Sequence, residues 1–144
     1  MNPSIKERQE EIIHEFALLD GDLEMTTVYL MELGQKLPEL AEEHRRDEYV
    51  VKGCQSKVWM VPLMREDKVY FEGDSNTAIT KGLVSLLIRV LSGQKPQDII
   101  EADIYFPNQI GMSRFIGTQR SNGFAAMIKQ MKLYALAYKT KNEA

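Results

Sequence analysis

The stretch Val51-Lys52-Gly53-Cys54-Gln55-Ser56-Lys57-Val58-Trp59-Met60-Val61-Pro62-Leu63-Met64-Arg65 decides how the rest of this chain is read, because here a helical period gives way to strand. Val50 and Val51, the run Ser56 to Arg65 and the run Lys68 to Glu72 are rich in β-branched and aromatic residues. Such residues suit a pleated, half-buried surface. Glu66-Asp67, between the last two runs, reads as a hairpin turn. The expectation is a small antiparallel sheet of about three strands. Pro62 cannot donate to a ladder and so belongs at an edge or a bulge. Cys54 falls in the loop entering the second of these strands.

Helical patterns lie on both sides of the sheet in sequence. Asn2 and Pro3 read as N-cap and first helical residue, and Ile5, Ile12, Ile13, Phe16 and Leu19 recur at helical spacing, which predicts a helix to about Leu18. Asp20-Gly21-Asp22 stops it. A second helix starts near Glu24, with Met25, Val28, Tyr29 and Leu33 on one stripe and Gly34 near its end. The charged run Glu42 to Glu48 reads as a solvated loop. After the sheet, Asp74-Ser75-Asn76 supplies caps for a helix whose apolar residues, Ala78 to Leu91, cover a wide arc, so it is expected to be central. Gly93 closes it and Pro96 opens a brief helix to about Ala102. Residues 103–117 read as irregular, with a turn of helix near Asn108 to Met112. Ser121 then caps a final helix that carries Phe124, Met127, Ile128, Met131, Tyr134, Ala135 and Tyr138. Helices, a small sheet, then helices define an α+β domain, expected to be one domain over residues 1–144.

Composition narrows the function classes. Hydrophobic residues are 44% and charged residues 27%, the balance of a globular chain with a real core. A net charge of -3 argues against a nucleic-acid binder. No stretch approaches the roughly 20 apolar residues needed to span a bilayer, and the charged N-terminal segment lacks the apolar run of a signal peptide. A cytoplasmic protein is expected, with no membrane and no nucleic-acid partner. One cysteine cannot form an internal disulfide, in keeping with a reducing compartment.

That cysteine is the centre of the chemical reading. Cys54 follows a glycine, precedes an amide and a hydroxyl, and has Lys52 and Lys57 close in sequence. A buried structural cysteine is the commonest state of a lone thiol, but a polar loop suits a thiol that is reached, turned and ionised. Lysines nearby raise the thiolate fraction. Gly53 gives the loop a backbone angle closed to other residues, and Gln55 and Ser56 can hydrogen-bond around the sulfur or satisfy the loop itself. Trp59 reads as packing. His14 and His44 have no second ligand at metal spacing and read as surface residues, so no metal site is expected.

Four blocks give this chain a family resemblance: Glu32-Leu33-Gly34-Gln35-Lys36-Leu37-Pro38; Val51 to Trp59; Gly73-Asp74-Ser75 with Lys81-Gly82-Leu83; and Arg120-Ser121-Asn122-Gly123 with Ala126-Met127-Ile128. In this order they resemble the SufE family of sulfur acceptors. The resemblance implies a fold shared with IscU-type iron–sulfur scaffolds. It implies that Cys54 takes sulfane sulfur from a pyridoxal-phosphate-dependent cysteine desulfurase of the SufS or CsdA kind, stimulates that enzyme, and passes the sulfur to a SufBCD-type scaffold. The chain would then be a sulfur carrier and not itself an enzyme, with no cofactor of its own. Arg120 and Asp74 are carried over as supporting residues near the thiol, and a pair between them is one possible arrangement. Asn76-Thr77 and Gly117-Thr118-Gln119 depart from the common family pattern, Asp-Ser-Asp-Ala and Ser-Pro-Ser-Arg. An iron–sulfur scaffold would want several thiolates, a cysteine hydrolase a histidine base. A pure desulfurase-binding module would not need the thiol at all.

Overall fold

The computed structural model describes residues 3–143. The elements run α1 (Ile5–Ala17), α2 (Leu23–Gln35), two 3₁₀ turns (Glu42–His44 and Asp47–Tyr49), β1 (Val58–Arg65), β2 (Lys68–Ser75), α3 (Ala78–Leu91), α4 (Pro96–Glu101), α5 (Phe106–Gln109) and α6 (Met112–Glu143). The fold is α+β, as expected, with a sheet of two antiparallel strands. The expected first strand, Val50-Val51, contributes an isolated bridge from Val50 to Trp59 and one N–H bond from Val51 to the Val58 carbonyl, 2.8 Å. It stops there because Gly53, at φ +95°, turns the chain away.

The hairpin turns at Glu66-Asp67, so Arg65 faces Lys68 and Trp59 faces Asp74. Glu66 takes a left-handed φ of +59°. Pro62 faces Phe71. The Phe71 N–H donates outward to Ser92 Oγ, 2.9 Å, and the Pro62 carbonyl accepts outward from the Tyr138 hydroxyl, 3.4 Å. Pro62 therefore occupies a position where no bond to β2 is lost. Val58, Met60, Val69 and Phe71 sit on one buried face against α3. Trp59, Glu72 and Asp74 belong to the opposite face by strand alternation.

α3 is the central helix: Leu83, Val84, Leu86, Leu87, Val90 and Leu91 are all buried. Two glycines let its neighbours approach. A Cβ on Gly82 would lie 2.2 Å from the Leu30 carbonyl oxygen, and one on Gly34 would lie 2.7 Å from the Gly82 nitrogen, so α2 crosses α3 backbone to backbone. This crossing rotates α2. Thr26, Leu30 and Gly34 are buried, whereas Met25 and Val28 of the expected stripe are about half exposed.

Helix starts also differ from the sequence reading. Asn2 lies outside the described residues. The α1 cap is Ser4, whose Oγ accepts the Glu7 N–H at 3.0 Å while Glu7 returns a bond to the Ser4 N–H, a capping box. α3 is preceded by Thr77 with no side-chain cap, because β2 holds Asp74 and Ser75 in the sheet. α6 begins at Met112, nine residues before the expected cap at Ser121, and breaks at Gly117 (φ 83°, ψ 170°). Ser121 donates to the Gly117 carbonyl, 2.9 Å. No helix among the described residues is long and apolar enough to cross a membrane.

Candidate functional site

Residues 52–57 form a loop closed at its base by the Val51–Val58 hydrogen bond and laid on α6. Two glycines fit it there. Gly53 supplies the left-handed turn, and a Cβ on it would lie 3.4 Å from the Ala126 Cβ. Gly123 faces the sulfur, where a Cβ would lie 3.3 Å from Cys54 Sγ. The thiol donates to the Gly123 carbonyl, 3.4 Å, and is half-buried. Burial pushes its pKa up, since the thiolate is disfavoured out of water.

Neither lysine offsets this. Lys57 Nζ lies 5.2 Å from the centre of the Trp59 ring. Lys52 lines a separate hollow with Asp47, Glu48 and Lys129. The expected local activation of the thiol by these cations is absent in this resting geometry.

Beside Cys54 lies a cavity of about 400 Å³. Its walls are the loop (Cys54, Gln55, Ser56), α3 (Thr80, Leu83) and both sides of the α6 break, from Ile116 to Arg120, with Gly123 and Met127. The break makes this hollow, because the chain bends out at Gly117 and returns. Arg120 is on the rim. Its Nη1 donates to the Ile116 carbonyl at 3.3 Å, which ties the guanidinium across the break. Gln55 is exposed. Ser56 Oγ shares hydrogen bonds with Thr77 Oγ1 (2.9 Å) and Thr80 Oγ1 (3.3 Å), fixing the loop to the start of α3. The Lys57 N–H donates to Asn76 Oδ1, 3.0 Å, and the Asn76 N–H to the Lys57 carbonyl, 3.2 Å. Both segments that depart from the family pattern thus touch the thiol loop or wall its cavity.

Asp74 does not meet Arg120. Its Oδ2 accepts from Arg45 Nη2 at 2.6 Å, its Oδ1 from the Ser75 N–H at 2.8 Å, and Lys81 Nζ lies 3.5 Å away. Burial raises the carboxyl's pKa, but the Arg45 and Ser75 hydrogen bonds and the charges of Lys81 and Arg45 outweigh it and hold the group below its ordinary value. Asp74 is a sheet-face anion, and it does not cap α3. Sequence reasoning missed Arg45, which sits inside the charged run read as solvated loop, and it gave no role to Lys81 or Gly123. The hairpin turn at 66–67 already fixes Trp59 opposite Asp74, but nothing in the sequence carries Arg45 to that face. Among the described residues no three His, Cys, Asp or Glu side chains gather to hold a metal.

This is an α+β domain built around one loop thiol. Similar folds and sequences exist. The family profile "SufE: Fe-S metabolism associated domain" matches residues 10–135. An "uncharacterized SufE-like protein" of Rhizobium etli is 39% identical over 128 residues, covering 85% of this chain and 86% of that one. Another, from Rhizobium meliloti, is 36% identical over 128 residues, covering 85% and 91%. The solution structure of a hypothetical protein from Thermus thermophilus matches with a TM-score of 0.76, over 92% of this chain and 96% of that one, at 19% identity, a likeness of fold alone. The chain belongs to the SufE family, which gives it a role in iron–sulfur metabolism.

Proposed function

We propose that the chain acts as one sulfur-acceptor domain over residues 1–144, with Cys54 as its covalent carrier. The Cys54 thiolate attacks the outer sulfur of a cysteine persulfide on a pyridoxal-phosphate-dependent desulfurase of the SufS or CsdA kind. A new S–S bond forms at Cys54, the donor's S–S bond breaks, and the donor cysteine leaves as a thiolate that takes up a proton. No oxidant is needed, because zero-valent sulfur moves between two thiols. The freed desulfurase turns over again, which is how an acceptor stimulates it. A SufBCD-type scaffold then receives the sulfur, in the cytoplasm, where thiols stay reduced.

One observation carries this reading: a lone thiol on a short glycine-hinged loop rests half-buried beside a cavity of about 400 Å³. A carbonyl is its hydrogen-bond acceptor, and Arg120 stands at the rim. A persulfide is longer than a thiol by one sulfur and is easily reduced or oxidised, so room with shelter suits it. Arg120 supports the anion by charge, and Gly53, Gln55, Ser56 and Lys57 shape the loop. Asp74 supports it indirectly, through the sheet.

The test is intact mass after incubation with desulfurase, pyridoxal phosphate and cysteine. One added sulfur atom on the wild type and none on Cys54→Ser is expected. Sulfur on neither, in a complex that demonstrably forms and with an active desulfurase, refutes the carrier role.

A further inference from the structure

We propose that Arg45 is a positioning residue that latches the stem of the Cys54 loop through Asp74 and Trp59. The proposal rests on Cys54 being the sulfur acceptor and concerns how its loop is held.

The loop 52–57 has one closing bond, from the Val51 N–H to the Val58 carbonyl, and Trp59 is the next residue along. Trp59 pairs with Val50 on one side and with Asp74 on the other. It is thus the point where the loop's two ends and the hairpin meet. Arg45 covers this point. Its guanidinium lies 5.1 Å from the centre of the Trp59 ring, and its Nη2 bonds Asp74 Oδ2 at 2.6 Å. One planar cation therefore engages an aromatic ring and a carboxylate that face each other across the hairpin, a task suited to arginine and not to a point charge. The Trp59 indole N–H is buried without an acceptor, so no hydrogen bond of its own holds the ring. Arg45 itself comes from the link between the two 3₁₀ turns, the segment that leads into Val50 and the loop.

The consequence is a division of motion. With the latch closed, movement of the thiol is confined to residues 52–57, about the Gly53 hinge. With the latch open, Val50, Val51 and Trp59 can separate, and the loop loses the base that returns Cys54 to its place against Gly123.

The experiment measures Cys54 alkylation by iodoacetamide and amide hydrogen exchange on the folded full-length chain. Arg45→Ala should raise the alkylation rate about 30-fold, the low end of one hydrogen bond between charged groups plus a cation–π contact at about 1.4 kcal/mol per factor of ten. Exchange should quicken in residues 50–59 and stay unchanged in α1 and α3. Arg45→Lys, which keeps a cation at Asp74 but cannot cover the ring with the same plane, should restore the rate only in part, to about three- to ten-fold above wild type. Asp74→Asn removes the same ion pair from the other side, together with the Lys81 contact to the first turns of α3, and should reproduce the faster exchange in residues 50–59 with α1 unchanged. It also carries the test if Arg45→Ala fails to fold. An unchanged alkylation rate in Asp74→Asn, or exchange in either variant that quickens as much in α1 as in the loop, overturns the latch. These readouts need no desulfurase, whereas sulfur loading of the wild type decides the acceptor role by itself.

Discussion

Gly53→Ala probes the hinge most directly. Gly53 holds φ at +95°, a region that costs an L-residue about 1–2 kcal/mol. Space is not the obstacle, since the new Cβ would stand 3.4 Å from the Ala126 Cβ, at contact distance. The penalty is therefore backbone strain in the resting loop. If the loop opens by rotation at residue 53, the open state escapes that strain and the resting state does not. At about 1.4 kcal/mol per factor of ten, the open fraction rises by about 5- to 30-fold. Global stability falls by the same strain, because the unfolded chain escapes it too.

The assay follows Cys54 alkylation by intact mass at a temperature well below unfolding, beside a denaturant titration. When opening and closing outpace the reagent, the rate tracks the open population, so it should climb by the same 5- to 30-fold. Sulfur uptake from a desulfurase should gain at limiting concentration, because a loop already open removes the cost of selecting a rare conformer. A variant that loses about 1–2 kcal/mol of stability while its alkylation rate stays within two-fold of wild type would refute the hinge. It would mean that residue 53 keeps its left-handed angle when the thiol is exposed.

Arg120→Ala should lower sulfur transfer by about ten-fold, in line with loss of a charge-assisted contact to an anion, with the circular dichroism spectrum and midpoint unchanged, because its side chain is on the rim. Transfer at the wild-type rate would remove it from the site. Asp74 has a folded pKa below its unfolded one, so the stability it contributes is present above the unfolded value of about 3.9 and is lost as pH falls through the folded one. The stability difference between wild type and Asp74→Asn should be flat above about pH 5 and shrink below about pH 4. Urea titrations across that range check it, and a difference independent of pH would show that the carboxylate's charge is not what matters there.

The sequence carried the order of elements because the signals were local. The β-branched and aromatic run from Ser56 to Arg65, the turn at Glu66-Asp67 and the apolar arc of α3 each depend on near neighbours. What it did not carry depended on pairs distant in sequence. α2 turned a different face inward because Gly34 meets Gly82, a backbone contact that no hydrophobic stripe encodes. The hairpin claimed Asp74 and Ser75, which local propensity had given to a helix cap. α6 started early because Met112 and Ile116 found a buried place, although Gly117 and the glycine at 111 interrupt any helical pattern there. At the site, Cys54, Gly53 and Ser56 were legible from one short motif. Arg45 was not, because an arginine in a charged run looks like surface until the fold lays that run against the sheet.

The raised thiol pKa bears directly on the proposed acceptor role. A thiol meant to react at rest would sit beside a cation, and Lys52 and Lys57 are near enough in sequence to serve. Instead Lys57 lies by the Trp59 ring and Lys52 lines another hollow, leaving the sulfur against a carbonyl oxygen, which favours the protonated form. For a thiol that works by opening, activation and exposure would be the same event. On the proposed acceptor role, a loop that swings out would relieve the desolvation, leave the carbonyl behind and return the thiol to its ordinary acidity where a donor persulfide can reach it. A persulfide carried back on Cys54 would then meet the same half-buried place with Arg120 at its rim. On that proposal reactivity is gated by position, and the hinge at Gly53 and the base held by Trp59 govern it more than any group touching the sulfur.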